Sequence, residues 1–269
     1  MLYTPFDLGC GNMKTCQKKF RANSSGQLLI VAALAIAILI SSTTIYVYEV
    51  SKETSSQDYS SISNFILAIK QSARNAMISA LSNVSNGGEK TVLAANLNEF
   101  SQVLRSLSYF GTYHLVFTLF NGSNYDEGIL LFWNTSDAGV SSAYANFNLK
   151  IYSMAENFTF DYDANVTTAI TISGYYTRLA GDEKQINLTC SVYNEGKPAL
   201  ARNLTFYYES LGSWIPVNSS NNLSIKDYGN GTYRISFTVL VPSDSIQVSA
   251  RVHDLRNVFV RANTTCYEA

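Results

Sequence analysis

His114 and His253 are the only histidines in the 269 residues. The first falls in an apolar run and the second precedes Asp254, so neither has a neighbour that would make it a general base, and both are read as structural. No nucleophile elbow, P-loop, HExxH or dinucleotide fingerprint occurs, and the Gly229-x-Gly231 spacing belongs to a tight turn. Asp161, Asp163 and Asn165 have the D-x-D-x-N opening of a calcium loop, whose hard oxygens would suit that ion. The sixth position is Val166, where such loops need Gly, and the twelfth is Ile172, where they need Glu, so a polar turn is expected instead. Asp126-Glu127 and Asp182-Glu183 are read as solvated turn residues. The expectation is a protein that is not an enzyme, with no catalytic residue, no cofactor and no metal. Tyr175, Tyr176, Tyr207 and Tyr208 could stack on sugars, although strand propensity alone explains aromatic pairs in such runs.

Two cysteines fall in the N-terminal segment (Cys10, Cys16) and two far beyond it (Cys190, Cys266). Alternation places Cys190 with Ile186, Leu188 and Val192, and Cys266 in parity with Val258, Val260 and Ala262, so both thiols should point inward. A disulfide between them would close a long loop and add roughly 4 kcal/mol; buried free thiols or an intermolecular bond are the alternatives. Asn-x-Ser/Thr acceptors stand at Asn83, Asn121, Asn134, Asn157, Asn165, Asn187, Asn203, Asn218, Asn222, Asn230 and Asn263. Residue frequencies give about five by chance, so the excess points to a glycosylated surface, the alternative being an unmodified Ser/Thr/Asn-rich one.

Composition sets the frame for these residues. Charged residues make up 14%, hydrophobics 46%, and the formal net charge is −1 with a pI near 6.1. No basic field exists to collect phosphates, which argues against nucleic acid as a partner. Residues 28–47 read LLIVAALAIAILISSTTIYV without a charge, long enough at about 1.5 Å per residue to cross a hydrocarbon core of about 30 Å. The expectation is a transmembrane helix over 27–48, in contact with membrane lipid. Lys14, Lys18, Lys19 and Arg21 precede it, so the bias of basic residues puts the N-terminus in the cytoplasm and the C-terminal part outside the cell. Without residues 1–26, the formal charge falls to about −4. Ala33, Ala37 and Ser41 recur every four residues and would allow close helix association.

The basic segment, then Ser24-Ser25-Gly26-Gln27 and an uninterrupted apolar helix, resembles the class III leader of archaeal type IV pilins and pilin-like proteins. That resemblance implies cleavage between Gly26 and Gln27, with like subunits or other pilin-like proteins as partners. The residue at the fifth mature position is Val31, where the family commonly has an acid. An uncleaved signal anchor is the alternative.

Beyond this segment, Ile62, Phe65, Ile66, Ile69, Ala73, Ala76, Met77, Ala80 and Leu81 follow helical spacing up to Asn86-Gly87-Gly88. A second helix carries Val92, Leu93, Leu97, Phe100, Val103, Leu104 and Leu107 on one face. The period then becomes two: 113–120, 128–133 and 142–152 read as strands, the last with Ala143, Ala145, Phe147, Leu149 and Ile151 on one face and Tyr144, Asn146, Asn148 and Lys150 on the other. From about Asn165 the chain is strand and turn. Its runs INLTCSVYNEGKPALARNLTFYYE and DYGNGTYRISFTV resemble prokaryotic Ig-like surface domains, which implies a β-sandwich with Tyr233 entering the core after the Asp227–Tyr233 turn.

The expected fold is thus α+β, with a long N-terminal transmembrane helix, a middle region of helix plus antiparallel sheet, and a C-terminal Ig-like β-sandwich. The segments are 1–26 (cytoplasmic leader), 27–48 (membrane helix), 49–164 (extracellular helical and meander region) and 165–269 (sandwich). The expected function is that of a membrane-anchored extracellular structural or adhesive protein, as a pilin-like filament or minor pilin subunit, with glycans or surface proteins among its contacts. The alternative is a non-polymerising binding or receptor ectodomain.

Overall fold

The computed structural model describes residues 36, 39–44, 58–107, 111–133, 136–152 and 157–269. The chain divides into two compact units, Met1–Phe65 and Ile66–Ala269. In the first, Ile36 and residues 39–44 are helical and exposed. The hydroxyls of Ser42 and Thr43 donate to the Leu39 carbonyl and that of Thr44 to the Ile40 carbonyl, which satisfies them on their own helix.

Helix α1 (Asp58–Ser85) runs from the first unit into the second. In the second unit Ile69, Ala73, Met77, Ala80, Leu81 and Val84 form one buried stripe, and each fully buried aliphatic chain of this kind contributes about 1.5–3 kcal/mol. Gly87, at φ +100°, lets the chain leave the helix in a conformation that side chains disfavour. Helix α2 (Val92–Ser106) buries Leu93, Leu97, Ser101 and Leu104. Both helices meet the apolar face of a sheet: the Ser101 hydroxyl donates to the Leu115 carbonyl at 2.9 Å, and the Lys70 ammonium lies over the Tyr162 ring at 5.0 Å.

That sheet begins with β1 (Thr112–Leu119) and β2 (Ile129–Phe132), both antiparallel to β3 (Ala138–Tyr152). β3 pairs along its whole length with β4 (Asn157–Ala180), from Ala138 opposite Thr171 to Tyr152 opposite Asn157. β4 then pairs on its other edge with β5 (Glu183–Asn194), from Thr168 opposite Asn194 to Ala180 opposite Glu183. The rest follows as β6 (Lys197–Pro198), β7 (Ala201–Ser210), β8 (Ser213–Pro216), a 3₁₀ turn (Ser219–Asn221), β9 (Ser224–Asp227), β10 (Thr232–Leu240), β11 (Ile246–Asp254) and β12 (Phe259–Glu268). The principal strand order is β8-β7-β11-β12-β4-β5-β10-β9, with β12 joined to β4 by a short parallel pairing at Tyr267–Tyr175 and Glu268–Tyr176.

The curled sheet closes on a core that draws Ile170 and Ile172 from β4, Leu188 from β5, Ile235 and Phe237 from β10, Phe206 from β7, Val248 and Val252 from β11, and Val260 from β12. The Asp227–Tyr233 turn forms as expected. The Asp227 carboxylate accepts from the Gly229 amide and the Asn230 side chain from the Thr232 amide, with Gly229 and Gly231 both at positive φ. A side chain at Gly231 would collide with the Ala199 carbonyl. Tyr233 is buried, and its hydroxyl accepts from the Ala201 amide.

Three expectations are corrected. The fold is mostly β, a curled twelve-stranded sheet with two helices and one 3₁₀ turn as named elements, not α+β built on a long transmembrane helix. The C-terminal strands share one core but do not form a separate Ig-like sandwich, because they belong to the same curled sheet, joined through the β12–β4 pairing. The expected junction at residues 164–165 falls inside β4. Second, among the described residues no helix is long and apolar enough to cross a membrane, so single-pass anchoring with a cytoplasmic N-terminus and an extracellular C-terminal domain is not supported. α1 is long enough but amphipathic, with Lys70 and Arg74 beside its apolar stripe. Most of the 28–47 run lies outside the described residues.

Third, Cys190 and Cys266 are free thiols and not a disulfide. Both point inward and are buried, as their parity requires. Cys190 occupies the rung of Ile172 on β4, whereas the Cys266 sulfur packs over Gly174. Their strands β5 and β12 flank opposite edges of β4, which separates the two backbones by two strand spacings, about 9.5 Å, beyond the Cα separation of about 4.4–6.8 Å that a disulfide spans. Desolvation pushes both thiols up to about 12, with the Asp137 carboxylate a second cause at Cys266.

Candidate functional site

Asp161, Asp163 and Asn165 lie in the middle of β4, not in a turn. Alternation sends their neighbours Phe160, Tyr162, Ala164 and Val166 to the helix side and turns the three polar residues outward. Each meets a partner across the β3–β4 ladder. Asn148 donates to Asp161 at 2.6 Å, Asn146 donates to Asp163 at 2.9 Å, and Asn165 accepts from the Ser142 hydroxyl at 2.9 Å. Successive outward residues of one strand are about 7 Å apart, too far for the two carboxylates to share one calcium ion at ligand distances of 2.3–2.6 Å. Among the described residues no three His, Cys, Asp or Glu side chains are grouped to hold a metal.

The solvent face of β1–β3–β4 therefore carries a ladder of amide–carboxylate pairs with an aromatic border. Phe120, Tyr125 and Tyr144 meet edge to face, with centroids 5.4, 5.1 and 6.2 Å apart. Tyr125 donates to the Ser142 hydroxyl at 2.9 Å, which ties the cluster to the ladder. Tyr144 hydrogen-bonds to Asp163, and desolvation together with that carboxylate raises its phenol. His114, Val116 and Thr118 of β1 are exposed and continue the face opposite Lys150, Asn148 and Asn146. Such a surface offers regularly spaced oxygens and amides beside flat apolar rings, the combination that hydroxyl-rich ligands use. The outward parity of Tyr144, Asn146, Asn148 and Lys150 was legible in the sequence. Their pairing with Asp161 and Asp163 was not, since it depends on the β3–β4 register.

A second polar cluster is structural. Asp254 is fully buried and accepts from the backbone amides of Arg256 and Val258, from the Thr168 hydroxyl and from Arg256 Nε, all at 2.8–2.9 Å. Arg256 also reaches Glu195 at 2.7 Å and the Thr167 carbonyl at 3.1 Å, and Glu195 holds Arg74 of α1 at 2.8 Å. Burial pulls the Arg256 guanidinium down, but its bonds to Glu195 and Asp254 outweigh this and raise it. The network pins α1, β4 and the β11–β12 turn together.

The remaining expected residues are dispersed. Gly26, Gln27, Ala33, Ala37 and Asn134 lie outside the described residues, and Ser41 is helical and exposed. Asn83, Asn121, Asn157, Asn165, Asn203, Asn218, Asn222 and Asn230 are exposed, while Asn187 and Asn263 are half-buried. Asn187 lines a shallow depression with Ser173, Tyr175, Thr189 and Arg234. Of the four tyrosines, Tyr176 is fully buried and unavailable for stacking on a ligand, Tyr175 is exposed, and Tyr207 and Tyr208 are half-buried. His253 sits on Phe259 with its Nε2 3.0 Å from the Asn86 side chain. The chain matches no protein-family model and no curated protein, so neither the pilin nor the Ig-like resemblance gains support from that quarter.

Proposed function

We propose that this chain is a structural or adhesive protein whose contact surface is the solvent face of β1–β3–β4. The observation that supports this is the amide–carboxylate ladder, Asn148–Asp161 and Asn146–Asp163, held in register beside Phe120, Tyr125 and Tyr144. Glycans and the surfaces of other proteins, including like subunits, are the partners such a face suits. Retention of beads coated with the full chain on a neutral glycan such as galactan tests it. Asp163→Ala and Tyr144→Ala should each lower retention several-fold, and retention equal to that of uncoated beads would overturn the reading.

The pilin-like leader belongs to the same proposal: cleavage between Gly26 and Gln27 would leave a mature chain that associates with like subunits or other pilin-like proteins. Mass spectrometry of the N-terminal peptide from native material should find a start at Gln27, and a start at Met1 would remove this part. The second reading is a binding module that does not polymerise. It is favoured at one end of the sheet by the brevity of the edge strands β8 and β9, four residues each, because short edges discourage growth of a sheet from chain to chain; β1, eight residues paired only with β3, is the longer edge at which such growth would occur. Sedimentation of the full chain separates the two readings.

A further inference from the structure

The outer face of β4–β5–β10–β9 carries two rows of polar side chains. Cross-strand register sets Ser173, Thr189, Arg234 and Lys226 in one row and Tyr175, Asn187, Ser236 and Ser224 in the next. Ser173 and Thr189 are short, and the longer Tyr175 and Arg234 flank them, so the surface dips there into a shallow depression of about 260 Å³. The rim is open to solvent: Ser173, Thr189, Arg234 and Lys226 are exposed, and so is Tyr175 at 41%.

In the ladder, amides and carboxylates bond to one another. Here, among the described residues, the side chains of Ser173, Asn187, Thr189 and Arg234 have no hydrogen-bond or ion-pair partner. The Lys226 ammonium lies over the Tyr228 ring at 5.1 Å, which holds it in place without neutralising it. No carboxylate shares either row. Asp227, beside Lys226, stands opposite the inward-facing Tyr233 and accepts from the Gly229 amide. The nearest outward acid along β5, Glu183, is six residues from Thr189, about 20 Å away. Arg234 and Lys226 thus stand directly across a strand pair and repel each other, and an anion from outside would relieve that repulsion.

We infer that this depression binds a sugar carrying a tetrahedral oxyanion ester, a sulfate or a phosphate. The ester oxygens accept from Arg234 and Lys226, with the Thr189 and Ser173 hydroxyls as further donors, and the sugar ring lies against Tyr175. Such a group has oxygens enough for a guanidinium fork, an ammonium and a hydroxyl at once, and an exposed tyrosine ring suits the apolar face of a pyranose. The inference is independent of the ladder reading, which concerns a different stretch of β4.

Titration of the full chain with galactose 6-sulfate, galactose 6-phosphate, galactose and inorganic sulfate, followed by amide NMR shifts, tests this inference. Both esters should bind and move the Ser173, Thr189 and Arg234 resonances, and the tighter of the two identifies the ester. Galactose should bind at least tenfold more weakly, and inorganic sulfate severalfold more weakly. Arg234→Gln should weaken ester binding at least fivefold without lowering the thermal midpoint, since its side chain has no partner in the fold. Tyr175→Ala should weaken the esters severalfold and leave inorganic sulfate unchanged. Galactose or inorganic sulfate binding as tightly as the esters would overturn the inference, and so would unchanged ester affinity in Arg234→Gln. Asp163→Ala, in the ladder face, should leave ester binding unchanged, and its loss there but not in Arg234→Gln would refute the assignment made here.

Discussion

Arg251 and Arg256 lie five residues apart, one in β11 and the other in the turn that follows it, and they are treated in opposite ways. Arg256 is enclosed by Asp254, Glu195, the Thr167 carbonyl and the Thr168 hydroxyl, so its donors are directed into the protein. Arg251 rests on Tyr207, faces another arginine and leaves Nε unmatched above a buried serine. A guanidinium that is saturated by its own chain holds elements together. One that is oriented but not saturated holds little together, and side-chain type alone does not separate the two.

The sharpest way to break this contrast is at Asp254. Asp254→Ala should destabilise the fold by about 3–5 kcal/mol in denaturant unfolding, because it leaves the half-buried Arg256 without its carboxylate and two backbone amides without their acceptor. A loss under about 1 kcal/mol would mean that the network is ornamental and that the contrast with Arg251 is empty.

Alkaline pH gives the next largest effect. Cys190 and Cys266 ionise near 12 in the folded chain and near the ordinary value of 9 when unfolded. Above pH 9 the unfolded state therefore binds fewer protons than the native state, and stability falls as pH rises toward 12, by a few kcal/mol at about 1.4 per pKa unit for each thiol. Tyr162, desolvated and raised to about 12, adds to the same trend above pH 10. Unfolding curves between pH 8 and 11 should show this decline, and a flat profile would mean that the thiols are not buried. The same burial implies that, in peptide maps, Cys190 and Cys266 are alkylated slowly in the native state and promptly after unfolding.

The smallest expected effect is the most pointed. Ser249→Ala should leave stability within about 0.5 kcal/mol of the parent or raise it, since it removes a hydroxyl that has no partner. Thr168→Val, nearly matched in shape, should cost about 1.5–3 kcal/mol because its hydroxyl donates to the Asp254 carboxylate. If the two substitutions cost the same, Ser249 is as well satisfied as Thr168 and the contrast between the two regions loses its support.

Much of the local structure could be read from the chain. The stripe from Ile69 to Leu81, the stop at Asn86-Gly87-Gly88, the three strands after Phe110 and the Asp227–Tyr233 turn all depend on neighbours in sequence, and all formed near the expected positions. The start of β4 reads as a turn in the sequence because Asp and Asn are turn formers. Yet Phe158, Phe160 and Tyr162 alternate with Thr159, Asp161 and Asp163, which is strand periodicity. What outweighs turn propensity is the β3 partner strand, with two asparagines placed to meet two aspartates. Strand parity turns both thiols inward, but facing inward fixes a direction and not a partner strand. The unmatched atoms around Ser249 depend on cross-strand register and on what does not approach, neither of which a sequence displays.

The 24 residues of β4 also bear on how the chain would carry load. Its first part is laced to β3 and its later part to β5, with Thr168–Thr171 paired on both edges. A pull that enters through β3 and leaves through β5 runs lengthwise along a single strand. Its rungs resist sliding together instead of opening one after another, and no flexible joint lies between the two ends to absorb the tension.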